Sequence, residues 1–228
     1  MKTILTLLFA FMCFVSFSQQ KSFKPGAIWP DNNGVHINAH GGGILNFNGI
    51  YYWYGEHKTE GRNGNNTLVG VHCYSSKDLY NWKDEGIALK VTNDTASLLQ
   101  IGCVIERPKV IYNKKTRKFV MWFHHELKGK GYSAAMTGVA ISDKATGPYT
   151  WLKSVNPNAG LWPMNFTAEQ KAMKFTEKLK DWSEEWKTAV KQGLFIQRDL
   201  AKGQMARDMT LYVDDNGKAY HITLLKRT

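Results

Sequence analysis

Gly42-Gly43-Ile44-Leu45-Asn46-Phe47-Asn48-Gly49-Ile50-Tyr51-Tyr52-Trp53-Tyr54 decides the fold: an apolar strand, an Asn-Gly turn and an aromatic strand. Asn-Gly between two apolar runs is the strongest short hairpin signal, because a type I′ turn needs positive φ at both central residues. The pattern returns in residues 108–113 and 118–123, joined by a basic turn, and again in residues 209–222 around Asp214-Asp215-Asn216-Gly217. A second hairpin follows each of the first two copies: residues 69–78 lead into Leu79-Tyr80-Asn81-Trp82, and residues 137–143 lead into Gly147-Pro148-Tyr149-Thr150-Trp151. Gly70 and Gly138 mark equivalent points 68 residues apart. Four strands per unit at that spacing describe propeller blades. The chain is read as all-β, with two full units and the first hairpin of a third.

One stretch breaks the rhythm. Residues 165–193 read as helix, opened by a Thr167/Gln170 capping box and stopped by Gly193. Ala172, Phe175, Leu179, Trp182, Trp186 and Val190 recur at three- and four-residue steps, giving an apolar face that docks an insertion on the propeller.

The ends carry their own signals. Lys2 precedes an almost unbroken apolar run over residues 4–17, and Ser16-Phe17-Ser18 places small residues before a cut ahead of Gln19. That is the layout of a cleaved export signal over residues 1–18, and the protein is expected outside the cytoplasm, periplasmic or extracellular. Nothing later in the chain is apolar enough to span a bilayer. At the other end the strand pattern stops abruptly in Lys226-Arg227-Thr228. An open propeller exposes strand edges, so a truncated or frame-shifted product is expected over residues 19–228.

Cys73 and Cys103 are the cysteines beyond the export signal. One disulfide is open to them, but free thiols buried in strands are the expected state. The net charge of +11 is spread over turns (Lys114, Lys115, Lys128, Lys130) and over the helical stretch. No stripe of arginines with interleaved aromatics forms, so nucleic acid is not expected as a partner.

Secreted propellers rich in aromatics suit carbohydrate, whose C–H faces stack on indoles and whose hydroxyls bond carboxylates. Trp29, Trp53, Trp82, Trp122, Trp151 and Trp162 are candidates, each also a candidate for packing. Glycoside cleavage needs two groups flanking the bond, one to protonate the leaving oxygen and one to activate water or attack. Repeat alignment puts His40 before the first inner strand, Glu106-Arg107 before the second and Arg207-Asp208 before the third. Inner strands converge near a propeller's axis, so these positions share one mouth.

At these residues the chain resembles glycoside hydrolase family 43, and within it the branch of exo-β-1,3-galactanases. The resemblance rests on residues 38–45, on Tyr51-Tyr52-Trp53-Tyr54-Gly55-Glu56, on Glu106-Arg107-Pro108-Lys109-Val110 and on residues 207–215. It implies a five-bladed propeller, of which about two and a half blades are present, and an inverting mechanism on β-linked galactan or a related plant-type polysaccharide. Carried over, Asp208 matches the carboxylate that tunes the acid's pKa, while Glu56 and Glu106 match carboxylates lining the sugar subsite. His40 and Trp53 join them as substrate-binding candidates. The family's usual aspartate base would follow the first histidine, where Gly41 stands, and the galactanase-like branch shares that departure. The general acid, a glutamate in Glu-Ala-Pro, has no counterpart in this chain. A non-catalytic carbohydrate-binding propeller is therefore the alternative, with an unrelated adhesin as a third class.

Other motifs lead nowhere. His40-Gly41-Gly42-Gly43 resembles an esterase oxyanion motif, but no Gly-x-Ser-x-Gly elbow accompanies it. His36 and His40 lack the helix that would make their spacing a zinc pair. Asp214-Asp215-Asn216-Gly217 lacks the remaining ligands of a calcium loop. No metal or cofactor is expected, and the oligomeric state is open. His124-His125 is read as one core and one exposed imidazole.

Overall fold

The computed structural model describes residues 20–61, 66–162, 164–172, 180, 182–192 and 202–223. The expected export signal, residues 1–18, lies outside them, as do Gly193 and Lys226-Arg227-Thr228.

The hairpin pattern folds as three separate antiparallel sheets. The first joins β1 (His40–Phe47), β2 (Ile50–Glu56), β3 (Gly70–Ser76) and β4 (Lys83–Lys90) in sequence order. The second repeats it with β5 (Val104–Asn113), β6 (Lys118–Glu126), β7 (Ala135–Ser142) and β8 (Thr150–Val155). The third is the hairpin of β9 (Met209–Val213) and β10 (Ala219–Thr223). Asn48 and Gly49 have φ of 52° and 76°, the type I′ geometry that their identities prescribe. Asp214 to Gly217 forms a turn closed by Gly217 N–H on the Asp214 carbonyl at 2.9 Å. Leu79 to Trp82, expected to start a strand, is instead a loop: the Asp78 carboxylate accepts from the Tyr80 and Asn81 amides at 2.8 Å. An aspartate side chain competing for backbone donors in this way favours turn over ladder.

The first strand of each sheet packs on that of the next, β1 on β5 and β5 on β9. One core fills the space between the two large sheets. It holds Tyr54, Val71, Cys73 and Leu89 from the first, and Ile105, Val110, Phe119, Met121 and Phe123 from the second. Burying a side chain the size of Met121 or Phe123 contributes about 2–3 kcal/mol. Tyr54 carries its hydroxyl into this core and donates to the Ala145 carbonyl at 2.8 Å, tying the first sheet to the β7–β8 connection, within which Tyr149 donates to the same carbonyl at 3.1 Å. Cys73 and Cys103 are both free and buried, Cys73 within β3 and Cys103 one residue ahead of β5. A second cluster of Ile37, Ala39, Tyr74 and Trp82 closes the opposite face of the first sheet.

The insertion differs from a single helix. Its described parts are α1 (Ala168–Ala172) and α2 (Glu184–Lys191). The capping box forms: Thr167 N–H donates to Gln170 Oε1 at 2.8 Å, and Gln170 N–H to Thr167 Oγ1 at 3.2 Å. Between the helices Trp182 takes φ of 68°, and Ser183 Oγ then accepts from Trp186 N–H at 3.2 Å as a new N-cap. Trp182, placed on the apolar face by periodicity, is 74% exposed, while Trp186 and Ala189 are buried. A serine cap outbids the apolar repeat there.

His124 and His125 are both fully buried, which corrects the expectation of one exposed ring. A fixed chain of donors holds His125. Trp151 Nε1–H donates to Ser154 Oγ at 3.1 Å, Ser154 Oγ–H to His125 Nδ1 at 2.7 Å, and His125 Nε2–H to the Leu98 carbonyl at 3.0 Å. Burial pushes the pKa of His125 down to about 4, with His124 acting in the same direction and the Leu98 carbonyl opposing it. The unfolded chain then binds a proton near pH 6.5 that the folded chain refuses, so stability falls with pH across the interval between. We predict that the urea midpoint drops between pH 6.5 and pH 4 by the equivalent of about 3 kcal/mol. His125→Gln should flatten that slope; an unchanged slope in the variant would show that other groups carry it.

Candidate functional site

The two inner strands of the large sheets are kinked at matching points. In β1 the register with β2 shifts between His40, opposite Glu56, and Gly43, opposite Tyr54. In β5 it shifts between Glu106, opposite His124, and Lys109, opposite Trp122. The second residue of each bulge is left-handed: Gly41 has φ of 58° and Arg107 has φ of 55°. That backbone costs a residue with a side chain roughly 1–2 kcal/mol. Gly41 escapes the cost and leaves room, since a Cβ there would lie 2.8 Å from Glu56 Oε1. Arg107 bears the cost, and its use explains why.

Arg107 joins two carboxylates from different sheets. Its backbone N–H donates to Glu56 Oε1 at 3.2 Å, and its Nε lies 2.5 Å from Asp208 Oδ1. Glu56, at the end of β2, is only 4% exposed. Its second oxygen meets Lys58 Nζ at 2.5 Å and His40 Nδ1 at 3.6 Å. Lys109 reaches across from β5, donating from Nζ to the Gly42 carbonyl at 2.9 Å. Burial lowers its pKa, Arg107 adds to that, and Glu56 opposes it. Gly43 makes the crossing possible, because a Cβ there would lie 2.4 Å from Lys109 Cδ. Lys58 thus meets the buried Glu56 carboxylate, the Arg107 guanidinium meets Asp208, and Lys109 ties β5 to the β1 backbone between them.

The residues expected at the site fall into two groups. Glu56 and Asp208 are brought together through Arg107, and His40 stands exposed beside Glu56. Glu106 is half-buried and lies within β5, at its third position, rather than ahead of the strand. Asp208 directly precedes β9 and its side chain is 54% exposed. Trp53 faces the other way. Strand alternation puts it opposite Tyr54 and Glu56, in the second cluster with Trp29 at 5.7 Å and Trp82 at 5.3 Å between ring centroids. Of the other indoles, Trp122 stacks on His221 and Trp162 packs against Phe166.

Sequence reasoning named Arg107 and Lys109 only as members of the motif over residues 106–110 and gave neither a role, and it did not name Lys58. Arg107 and Lys109 flank Pro108 in the repeated inner-strand motif, so their cationic type at that register was the available signal. Lys58 offered none, because its role depends on the turn after β2. Among the described residues, no group of three or more histidines, cysteines or acids could hold a metal ion. The arrangement suits neutral polyols. Carboxylate oxygens accept hydroxyl hydrogens, and lysine and arginine donate to hydroxyl oxygens.

No family model matches the chain, and no curated protein matches it. Solved structures do. A family 43 β-1,3-galactosidase, determined with galactodeoxynojirimycin, is 52% identical over 87% of this chain and 57% of its own, with a TM-score of 0.80. An exo-β-1,3-galactanase from Clostridium thermocellum is 34% identical over 87% of this chain and 34% of its own, at TM-score 0.61. One from Phanerochaete chrysosporium, with β-1,3-galactotriose, is 30% identical over 88% and 36%, at TM-score 0.63. The sheets therefore have the build of family 43 structures. The chain belongs to glycoside hydrolase family 43, and these relatives within it are named as a β-1,3-galactosidase and exo-β-1,3-galactanases. It spans little more than half the length of the first of these solved chains and about a third of the others.

The kinks yield a prediction. Arg107→Gly removes left-handed strain of roughly 1–2 kcal/mol and an exposed ion pair worth about 0–1 kcal/mol. Its urea stability should stay within about 1 kcal/mol of the parent. Gly41→Ala adds strain and presses on Glu56 Oε1, and should lose about 1–3 kcal/mol. Equal losses in the two variants would contradict the assignment.

Proposed function

We propose that the protein is an exported glycoside hydrolase acting on β-linked galactan or a related plant-type polysaccharide by inversion, on a five-bladed propeller. The observation that carries this reading is Arg107, which ties the Glu56 and Asp208 carboxylates to one mouth shared by successive inner strands. Asp208 takes the role of pKa tuner for a general acid, and Glu56 and Glu106 accept the hydroxyls of the bound sugar. His40, exposed beside Glu56, offers a further polar contact, while Trp53 packs with Trp29 and Trp82 on the other face of the strand. Export rests on Lys2 and the apolar run over residues 4–17. No helix among the described residues is long and apolar enough to cross a membrane.

A second reading has its own support. Inversion requires an acid that protonates the leaving oxygen and a base that activates water. The 228 residues contain no Glu-Ala-Pro. A carbohydrate-binding protein that keeps half a subsite without turnover is the alternative.

One assay separates them. The purified protein is incubated with β-1,3-galactobiose, and galactose release is followed by NMR, which also reports the anomer formed first. Inverting release, lowered about 10²–10⁴-fold by Asp208→Asn, supports the hydrolase. Binding without release, abolished by Glu56→Gln, supports the binding protein. Absence of binding overturns both.

A further inference from the structure

Residues 202–208 bring Asp208 to the mouth without a strand or helix of their own. Fixing such a segment costs roughly 1–2 kcal/mol per residue in backbone entropy, so anchors must come from outside it. Gln204 N–H donates to the Pro157 carbonyl at 2.8 Å, and the Arg207 guanidinium lies 3.4 Å from the centroid of the Tyr132 ring. Both sit toward the surface. The anchor nearest Asp208 in the interior is different. The carbonyl of Ala206, two residues before Asp208, meets Nδ1 of His124 at 2.7 Å. His124 is 1% exposed and Ala206 is equally buried.

The other side of that ring is occupied as well. His124 Nε2 lies 2.9 Å from Glu126 Oε1, and Glu126 is also buried. A carbonyl can only accept, so Nδ1 carries a proton. One further proton is held between Nε2 and the carboxylate, whichever of the two it sits on. Partners on both ring nitrogens fix the ring's orientation, as a second partner does for histidines that serve active sites. His124 also stands opposite Glu106 in the β5–β6 register. One side chain therefore backs the strand of one candidate sugar-binding carboxylate and holds the backbone leading to another.

We infer that His124, oriented by Glu126, is the positioning residue for Asp208. It touches neither sugar nor the Asp208 carboxylate; it sets where the chain enters β9, and Arg107 then receives the carboxylate. The inference rests on the sugar-site reading for its consequence, but the anchoring itself is measurable without any sugar.

The experiment compares His124→Asn with His124→Gln in the full chain. The Asn Nδ2 stands where the imidazole Nδ1 stood and can still donate to Ala206, whereas the Gln amide extends toward Glu126. Backbone hydrogen exchange should rise at least tenfold over residues 203–209 in His124→Gln, with β5 and β6 still protected, and should return toward the parent in His124→Asn. Uniform loss of protection across the second sheet, or equal exchange in both variants, overturns the inference. Should His124→Gln not fold, the imidazole ¹⁵N spectrum of the parent decides. A protonated, slowly exchanging Nδ1 on His124 is expected, and a bare Nδ1 overturns it. Affinity for β-1,3-galactobiose should fall about tenfold in His124→Gln and less than threefold in His124→Asn. If the parent binds no sugar, the functional reading fails while the exchange result still stands.

Discussion

A guanidinium that must reach toward one sheet while its own amide faces another constrains everything at the mouth. Arg107 meets that demand through its backbone. At φ of 55° its N–H turns to Glu56 on the first sheet, and its side chain goes to Asp208 ahead of the third. An extended residue in a regular ladder would spend that N–H on its neighbouring strand. The bulge in β5 frees it, and the strain of a left-handed arginine is the cost. The matching bulge in β1 serves the opposite need. There Gly41 contributes empty space, into which the Glu56 carboxylate fits. A duplicated kink thus supplies charge in one copy and room in the other.

Behind the mouth, polar groups buried in the sheets are paired in chains rather than singly. Trp151, Ser154, His125 and the Leu98 carbonyl form one. His72 forms another. Its Nε2 lies 2.7 Å from Asp84 Oδ1, its Nδ1 lies 3.2 Å from Tyr74 Oη, and Tyr74 Oη accepts from Asn38 N–H at 3.0 Å. Asn38 and Lys58 then exchange two further bonds, at 2.7 and 2.8 Å, which steadies the turn that presents Lys58 to Glu56. Satisfied networks of this kind fix one arrangement, because each unpaired alternative strands a buried group. The apolar core between the sheets supplies attraction; these chains supply register.

Much of the fold was legible because hairpins announce themselves locally. Asn48-Gly49 and the glycines at 70 and 138 need only their own neighbours to be read. The same locality explains the failures. Residues 165–193 look like one helix by period, but the Ser183 cap and a left-handed Trp182 divide them. His124-His125 looked like one core and one exposed ring because the acceptors that hold them, Ala206 and Leu98, lie 82 and 27 residues away. Trp53 was credited to the sugar face on its residue type, yet alternation from Glu56 turns it toward Trp29 and Trp82. For the site, the motifs named the carboxylates and gave no role to the cations beside them. A carboxylate at a repeat position is visible in one dimension, whereas Lys58 and Lys109 acquire their roles only across sheets.

Among the described residues the third sheet has two strands, on which Tyr212, Val213, Tyr220 and Ile222 are exposed. Two-stranded hairpins are marginal alone, so this one depends on its neighbours, through β5, the Trp122–His221 stack and the His124 anchor. Its opening is then a local event that leaves the two large sheets and their common core intact. Asp208 sits at the entrance to that hairpin. Asp208 thus lies on the more exposed segment, while Glu56 is buried at the end of β2. Opening of that hairpin would separate the two carboxylates, and a molecule that gripped both would hold it closed in return.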